Sequence, residues 1–295
     1  MIQVILASAK KYGSKILLVL SLSSLYLPPR VFGQSLSLAF ELDKHSYLKC
    51  EEIYFAFFLT NNGSRGVRIN YPYLTTGSLR LLVSEAKGHR FEYTGRADGK
   101  GKLELGPQES KYELNSLFWY GEQDEENREY HYFRPGSYTV RAVYAPFDDP
   151  NDTIISSAWR FTVSEATGDE QAPFNLTLKS NRLSWLMEKN YAEIVSSLTT
   201  LIQQYPHSVY RPTALHWLSY VFRRNNEPAK ADSIARMLFE IYPNSIMAGR
   251  AAQVVSREMS MRDKIEFWGQ LRARYGGTQL SKAAQISIEI LKKQR

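Results

Sequence analysis

The stretch LIQQYPHS at residues 201–208 decides how the second half of the chain folds, because it recurs. It returns as LFEIYPNS at 238–245 and, in altered form, as LRARYGGT at 271–278. The tyrosines of the copies are 37 and 33 residues apart, and a period of about 34 residues is typical of stacked helical pairs. Six residues after the Ser or Thr of each copy stands an alanine: Ala214, Ala251 and Ala284.

Apolar side chains around each copy recur every three or four residues, which is the spacing of one helix face. The first unit shows this spacing at Tyr191, Ile194, Leu198, Leu201, Ile202 and Tyr205. The proline of each Tyr-Pro pair ends the first helix, because the residue before a proline disfavours helical geometry. Ser208 and Ser245 are placed to cap the second helix of their pairs. We expect a last helix at about 280–293.

The first half of the chain follows a period of two, the spacing of β-strands. In IYFAFFLT at 53–60, residues 53, 55, 57 and 59 are large and apolar and should form one core stripe. The turn signal Asn61-Asn62-Gly63 follows this strand. Between residues 35 and 163, about seven to nine short strands separated by turn residues predict a β-sandwich.

Two short motifs in this half resemble those of bacterial immunoglobulin-like sandwiches. YLKCEEI at 47–53 is similar to a Tyr-x-x-Gly-Glu motif that precedes a strand ending in Thr-Asn, with Cys50 where the glycine usually stands. RPGSYTV at 134–140 is similar to a Pro-Gly-x-Tyr turn that opens a late strand. By analogy with sandwich folds, Tyr138 is expected to form a corner hydrogen bond. The resemblance implies an architecture and no activity.

The helical copies resemble the tetratricopeptide-like repeats of bacterial envelope proteins, including outer-membrane assembly lipoproteins and the Tol-Pal coordinating protein. Those repeats carry the same Tyr-Pro-x-Ser spacing followed by an alanine, and the resemblance covers about residues 185–293. The predicted fold class is therefore a multidomain all-β plus all-α protein, in which an immunoglobulin-like β-sandwich precedes α-helical tetratricopeptide-like repeats. We place the sandwich domain at 34–165, a linker at 166–177 and the repeat domain at 178–295.

Residues 1–33 are predicted to be a secretory signal peptide. Lys10, Lys11 and Lys15 precede an apolar stretch of 12 residues at 16–27, which is shorter than the roughly 20 residues that span a bilayer. Small residues at the cleavage site would leave Gln34 as the mature start. We expect an exported protein of the periplasm or cell surface, without a transmembrane segment after cleavage. The alternative is an uncleaved N-terminal anchor.

Charge divides the chain into an acidic front and a basic back. Residues 34–170 contain 15 basic and 21 acidic residues, whereas residues 171–295 contain 18 and 9. Arg236, Lys264 and Arg274 lie off the apolar stripes of the first helices and are candidate residues for binding an acidic protein or peptide partner. The alternative is that they only keep the domain soluble. Export argues against nucleic acid as a partner.

The chain has no motif of a known catalytic, phosphate-binding or dinucleotide-binding site. His216, beside Trp217, is expected to be packed or at the surface rather than a ligand. Two acidic loops, at 122–129 and 148–152, offer oxygen ligands for calcium but lack the spacing of a defined calcium loop. We expect no enzyme, no cofactor and no metal site.

Together these observations predict a non-catalytic interaction or scaffold protein of the cell envelope, which binds a peptide or protein partner through the helical repeats. The alternative is an envelope polysaccharide-binding or polysaccharide-processing accessory protein with its site on the sandwich loops. A convergent pair of carboxylates in a cleft, with pKa values shifted by burial, would favour the alternative. A smooth sandwich and an open concave groove would favour the first hypothesis.

Overall fold

The computed structural model describes residues 35–72, 74, 78–86, 88, 90–93, 101–117, 133–149, 152–184 and 187–293. The predicted signal peptide, its cleavage site and the acidic loop at 122–129 lie outside these residues. Within them, a strand region at 36–164 precedes a helical region at 171–293. The predicted order of β structure followed by α structure is confirmed.

The strand region contains eleven strands in its described part. They are β1 Leu36–Leu42, β2 Ser46–Leu48, β3 Ile53–Asn61, β4 Val67–Asn70, β5 Leu79–Glu85, β6 Arg90–Tyr93, β7 Lys102–Leu105, β8 Ser110–Leu117, β9 Gly136–Tyr144, β10 Ile154–Ile155 and β11 Trp159–Ser164. One sheet has the order β1-β3-β8, and a larger sheet has the order β2-β11-β9-β5-β6, with β10 on β9. Strands β4 and β7 form a separate pair. All strand pairs are antiparallel except β2 with β11.

The small and the large sheet share one apolar core. Residues 53, 55, 57 and 59 of β3, the expected core stripe, are at most 1% exposed and belong to this core. Leu81 of β5, Val140 of β9 and Phe161 of β11 join them from the large sheet. The Tyr138 hydroxyl donates to the Arg134 carbonyl oxygen at 2.7 Å, so the expected corner hydrogen bond is present.

The helical region contains seven α-helices in its described part. They are α1 Gln171–Ser184, α2 Met187–Gln204, α3 Arg211–Arg224, α4 Pro228–Ile241, α5 Ile246–Ser256, α6 Met261–Arg274 and α7 Gln279–Lys293. The Tyr-Pro pairs stand just past the ends of α2 and α4, as predicted. The side chain of Ser245 caps α5 by accepting from the Met247 amide, whereas Ser208 precedes the N-cap of α3, which is Tyr210.

The second helices of the three pairs, α3, α5 and α7, pack against the outer face of the small sheet. Thr213 of α3 lies 3.3 Å from the Tyr54 hydroxyl, and Lys282 of α7 forms an ion pair with Glu41 at 2.7 Å. In α5, a Cβ on Gly249 would come within 3.2 Å of Leu114 on β8. Strand β3 is therefore covered on both faces, by the large sheet on one side and by helices on the other.

The single cysteine of the chain, Cys50, lies in the turn before β3 and has a backbone conformation that favours glycine. Cys50 has φ of +65°, in the left-handed region that costs an L-residue roughly 1–2 kcal/mol. This is the position where the immunoglobulin-like motif has its glycine. The Cys50 side chain is 3% exposed and packs in the same apolar cluster as the helices.

The segment between the two regions is shorter and better anchored than predicted. We expected a linker at 166–177, but α1 begins at Gln171 and a 3₁₀ turn occupies Gly168–Glu170. Ala166 is buried, and the Glu170 carboxylate accepts from the Ser208 hydroxyl at 2.7 Å and the Val209 amide at 3.1 Å. The domain boundaries at 165 and 178 remain predictions.

Candidate functional site

A cleft of about 520 Å³ lies where the strand and helical regions meet. We call it the junction cleft. One wall comes from the β1–β2 and β2–β3 turns, and the other from the turns that precede α3 and α5, at 206–213 and 241–245. The strand wall presents Asp43, Lys44, Glu51, Glu52 and Tyr54. Residues from chain positions about 160 apart thus form one surface.

Asp43 stands directly after β1. Its carboxylate accepts a hydrogen bond from the Tyr47 hydroxyl at 2.5 Å. Burial raises the pKa of Asp43 to about 6, although the Tyr47 hydrogen bond and the nearby Lys44 charge oppose the shift. The loss of water around the ionised form outweighs both favourable contacts.

Glu51 is held at two points in the adjoining turn. Its Oε2 accepts from the Leu48 amide at 2.9 Å, and its Oε1 pairs with the Lys44 ammonium. Burial raises the pKa of Glu51 to about 6, with Asp43 adding to the shift and Lys44 opposing it. Two neighbouring carboxyl groups of the cleft therefore titrate close to pH 6.

Glu52 and Tyr54 join the two walls. The Tyr54 hydroxyl donates to Glu52 Oε2 at 2.6 Å and lies 3.3 Å from Thr213 Oγ1 at the start of α3. Burial, with the Glu52 charge in second place, raises the pKa of Tyr54 well above its usual range. The phenol therefore stays protonated and keeps Glu52 oriented.

Buried hydrogen bonds hold the helical wall in place. Tyr210 is fully buried and donates to the Lys49 carbonyl oxygen at 2.6 Å. The Arg211 guanidinium donates hydrogen bonds to the Pro206 carbonyl oxygen at 3.0 Å and to the Tyr242 hydroxyl at 3.5 Å. Ile241, 45% exposed, adds an apolar edge to the cleft. Hydrogen bonds therefore link the two walls and the turns of the helical wall.

The candidate partner-binding residues lie away from this cleft, on the first helices. The Arg236 guanidinium of α4 is 6.0 Å from the centre of the Phe267 ring on α6, and that of Arg274 is 5.2 Å from the Tyr275 ring. Lys264 is partly exposed on α6. Within the described ranges, no ion pair involves any of the three residues.

The other side chains that the sequence analysis considered are packed or form ion pairs with neighbouring residues. Burial lowers the pKa of His216 to about 3, with Arg250 nearby, so this histidine is neutral and packed. Asp148 pairs with Lys102 at 3.1 Å, and Asn151 lies outside the described residues. Across the described ranges, no cluster of three potential metal ligands occurs. None of the described helices combines the length and apolarity needed to cross a bilayer.

No protein-family model matches the chain, and no curated protein matches it. Similar solved structures include the CARDB domain of the PF1109 protein from Pyrococcus furiosus, with 14% identity and a TM-score of 0.25, covering 44% of this chain and 87% of that one. The alkylpurine DNA glycosylase AlkC of Pseudomonas fluorescens is 11% identical with a TM-score of 0.30, over 44% and 30%. A β-glucosidase from Listeria innocua is 11% identical with a TM-score of 0.29, over 44% and 16%.

These comparisons correct one prediction. We expected a chain that is not an enzyme, and the glycosidases and the DNA glycosylase among the similar structures contradict that expectation. The chain spans 30% of the glycosylase and 15% of a second β-glucosidase, from Erythrobacter marinus. At TM-scores of 0.30 or less, the likenesses assign no activity to this chain.

Proposed function

We propose that this chain is an exported protein of the cell envelope that binds a polysaccharide segment in the junction cleft. The observation that carries the proposal is the convergence of Asp43 and Glu51, two carboxyl groups with pKa values raised by burial, in a cleft between both regions. Both residues lie on turns of the strand region, where the polysaccharide alternative puts its site. Perturbed carboxyl groups in a cleft are typical of functional sites.

The mixed lining of the cleft favours a sugar over a charged peptide. Three carboxyl groups, of Asp43, Glu51 and Glu52, line the cleft together with the cations of Lys44 and Arg211, so both signs of charge are present. A sugar hydroxyl both donates and accepts, and it therefore finds partners on both kinds of group. The Tyr242 ring supplies an apolar surface for the face of a sugar ring.

The proposal also covers the fold type of the two regions. We infer an immunoglobulin-like sandwich from the two facing sheets and the Tyr138 corner bond. We infer tetratricopeptide-like repeats from three helix pairs whose buried alanines, Ala214, Ala251 and Ala284, allow close packing. The repeat turns supply one cleft wall, so this array contributes to ligand binding through its turns.

Binding to an oligosaccharide array that contains neutral, amino and uronic-acid sugars tests the proposal. The best oligosaccharide should then bind the full mature chain at least tenfold more tightly than it binds Asp43→Asn, which keeps the shape of the side chain. Affinity should rise between about pH 5 and pH 7, since ionised carboxylates accept hydrogen bonds from sugar hydroxyls. Incubation with the same sugar, followed by analysis of reducing ends, reports whether the cleft also cleaves it.

The matched control is Glu258→Gln, which changes an exposed carboxylate outside the cleft. It should bind the oligosaccharide as the unmodified chain does. If Asp43→Asn binds as tightly as Glu258→Gln, or if no oligosaccharide on the array binds, the cleft is not a polysaccharide site.

A second candidate function is protein binding through the first helices. It is favoured by the packing of α3, α5 and α7 on the sheet, while the Arg236 side chain on α4 is exposed and that of Lys264 on α6 is partly exposed. The expected occupant is an acidic peptide segment, because the helical region has twice as many basic as acidic residues. A labelled poly-glutamate peptide should bind less tightly as salt rises.

The charge reversal Arg236→Glu with Lys264→Glu should weaken poly-glutamate binding at least tenfold. Arg257→Glu, a reversal at an exposed position at the end of α5, is its control. Equal affinities for the double variant and the control would show that this surface does not bind the acidic peptide.

A further inference from the structure

The outer face of the large sheet carries a long shallow trough. Two hollows of about 650 and 580 Å³ adjoin there and share Ser84 and Thr139. The trough crosses β2, β11, β9, β5 and β6, the full width of the sheet. No helix of the described part covers this face, because α3, α5 and α7 pack on the small sheet.

Residues that are paired across neighbouring strands form rows in the lining of the trough. One row contains Arg90, Ser84, Thr139 and Arg160. A second row contains Ser137, Thr162 and Ser46, and a third contains Glu92, Leu82 and Arg141. Five small hydroxyl side chains thus form the floor, and three arginines stand along it.

The arginines give this face a charge opposite to that of the strand region as a whole. Arg90, Arg141 and Arg160 are exposed, and none forms an ion pair with a described acid. Two acids also line the trough: Glu92, which pairs with Arg80 at 3.4 Å, and Glu85. The three arginines outnumber them. A guanidinium binds a carboxylate or phosphate through two parallel hydrogen bonds. The trough therefore matches an extended ligand with repeated negative groups.

The floor favours a polysaccharide over a protein as that ligand. Protein interfaces depend on exposed aromatic and apolar anchors. In this trough the aromatic rings of Tyr138 and Phe161 are buried, at 3% and 2% exposed, and Leu82 is its one large exposed apolar side chain in the described part. Serine and threonine hydroxyls hydrogen-bond to sugar hydroxyls and provide no apolar anchor.

The trough and the junction cleft meet at one turn. Asp43 and Lys44 of the β1–β2 turn line the cleft, whereas His45 and Ser46, the next two residues, line the trough. The two surfaces face opposite sides of the strand region, the cleft toward the helices and the trough away from them. We propose that the trough binds the acidic groups of an anionic polysaccharide. This inference goes beyond the proposed function of the cleft and adds a second binding surface.

Oligogalacturonate and its methyl ester of equal length form a matched pair of probes, because esterification removes the charge and leaves the sugars. We expect the full mature chain to bind the acid at least tenfold more tightly than the ester, with a difference that shrinks as salt rises. Arg141→Gln with Arg160→Gln should reduce the difference to less than threefold. Arg257→Gln, outside the trough, should retain it.

The two proposals fail in different ways. If Asp43→Asn leaves all binding unchanged while the arginine variant loses the preference for the acid, the cleft proposal fails and the trough stands. Equal binding of the acid and the ester, or an arginine variant that behaves as Arg257→Gln does, overturns the trough proposal. The proposal is overturned as well if poly-glutamate or single-stranded DNA binds more tightly than oligogalacturonate and Arg141→Gln with Arg160→Gln weakens that binding, since the ligand of the trough would then be another class of polymer.

Discussion

Gly249 tests how closely the helices and the small sheet pack. A Cβ at this position of α5 would lie 2.8 Å from the Cβ of Ala283 on α7 and 3.2 Å from Leu114 Cδ1 on β8. Carbon atoms in contact prefer separations of about 3.5–4.0 Å, so Gly249→Ala requires three backbone elements to move apart. Overpacking of this kind costs roughly 1–3 kcal/mol. The higher helix propensity of alanine offsets only about 1 kcal/mol of this cost.

Gly269 provides the control, because it lies inside α6 and its added Cβ would have no atom within 4 Å apart from the backbone of its own helix and its two chain neighbours. Gly269→Ala should therefore stabilise the chain by about 0.5–1 kcal/mol. The two identical chemical changes should differ in the free energy of unfolding by about 2 kcal/mol, or roughly 4–8 °C in Tm. Thermal unfolding followed by circular dichroism measures the difference. Equal midpoints for the two variants would show that α5 does not approach α7 and β8 as described.

Three further predictions concern single side chains. Cys50→Gly and Cys50→Ala both remove the buried thiol, but only glycine relieves the strain of the positive φ. Cys50→Gly should therefore be more stable than Cys50→Ala by about 1 kcal/mol in urea unfolding. Equal stability of the two variants would show that the backbone at residue 50 is not strained. Tyr138→Phe removes the bond to the Arg134 carbonyl and should cost about 1 kcal/mol, whereas an unchanged midpoint would show that the corner bond contributes nothing. The pKa of His216 is lowered by burial to about 3, so its contribution to stability is present above about pH 6.5 and is lost as pH falls. His216→Gln should flatten the pH dependence of unfolding below that value, and an unaltered slope would contradict the assignment.

The sequence predicted the core stripes well, because burial on one face leaves a clear period. Residues 53, 55, 57 and 59 were assigned to the core and lie in it. The apolar even positions, Tyr54, Ala56 and Phe58, were not interpreted, although an unbroken apolar run is typical of a strand buried on both faces. Those three residues form the surface that receives the helices. The prediction of two modules joined by a polar linker overlooked this signal.

The periodicity of the sequence could not predict the junction cleft, because the two walls of the cleft are distant in sequence. Asp43 and Glu51 looked like ordinary turn residues, and only the packing of α3 against β3 brings the 206–213 turn opposite them. The available signal was the pair Glu51-Glu52 directly before a run of seven apolar residues. Carboxylates in such a position are desolvated when the run is buried, which is what raises the pKa of Glu51.

The central claim is that both regions together hold a sugar in the junction cleft. A crystal structure of the full chain, soaked with the oligosaccharide that binds most tightly on the array, tests it most directly. We predict density for sugar rings between the Asp43 and Arg211 side chains, with sugar hydroxyls within hydrogen-bond distance of both. Well-ordered density for the oligosaccharide elsewhere, with no sugar in the cleft, would contradict the account.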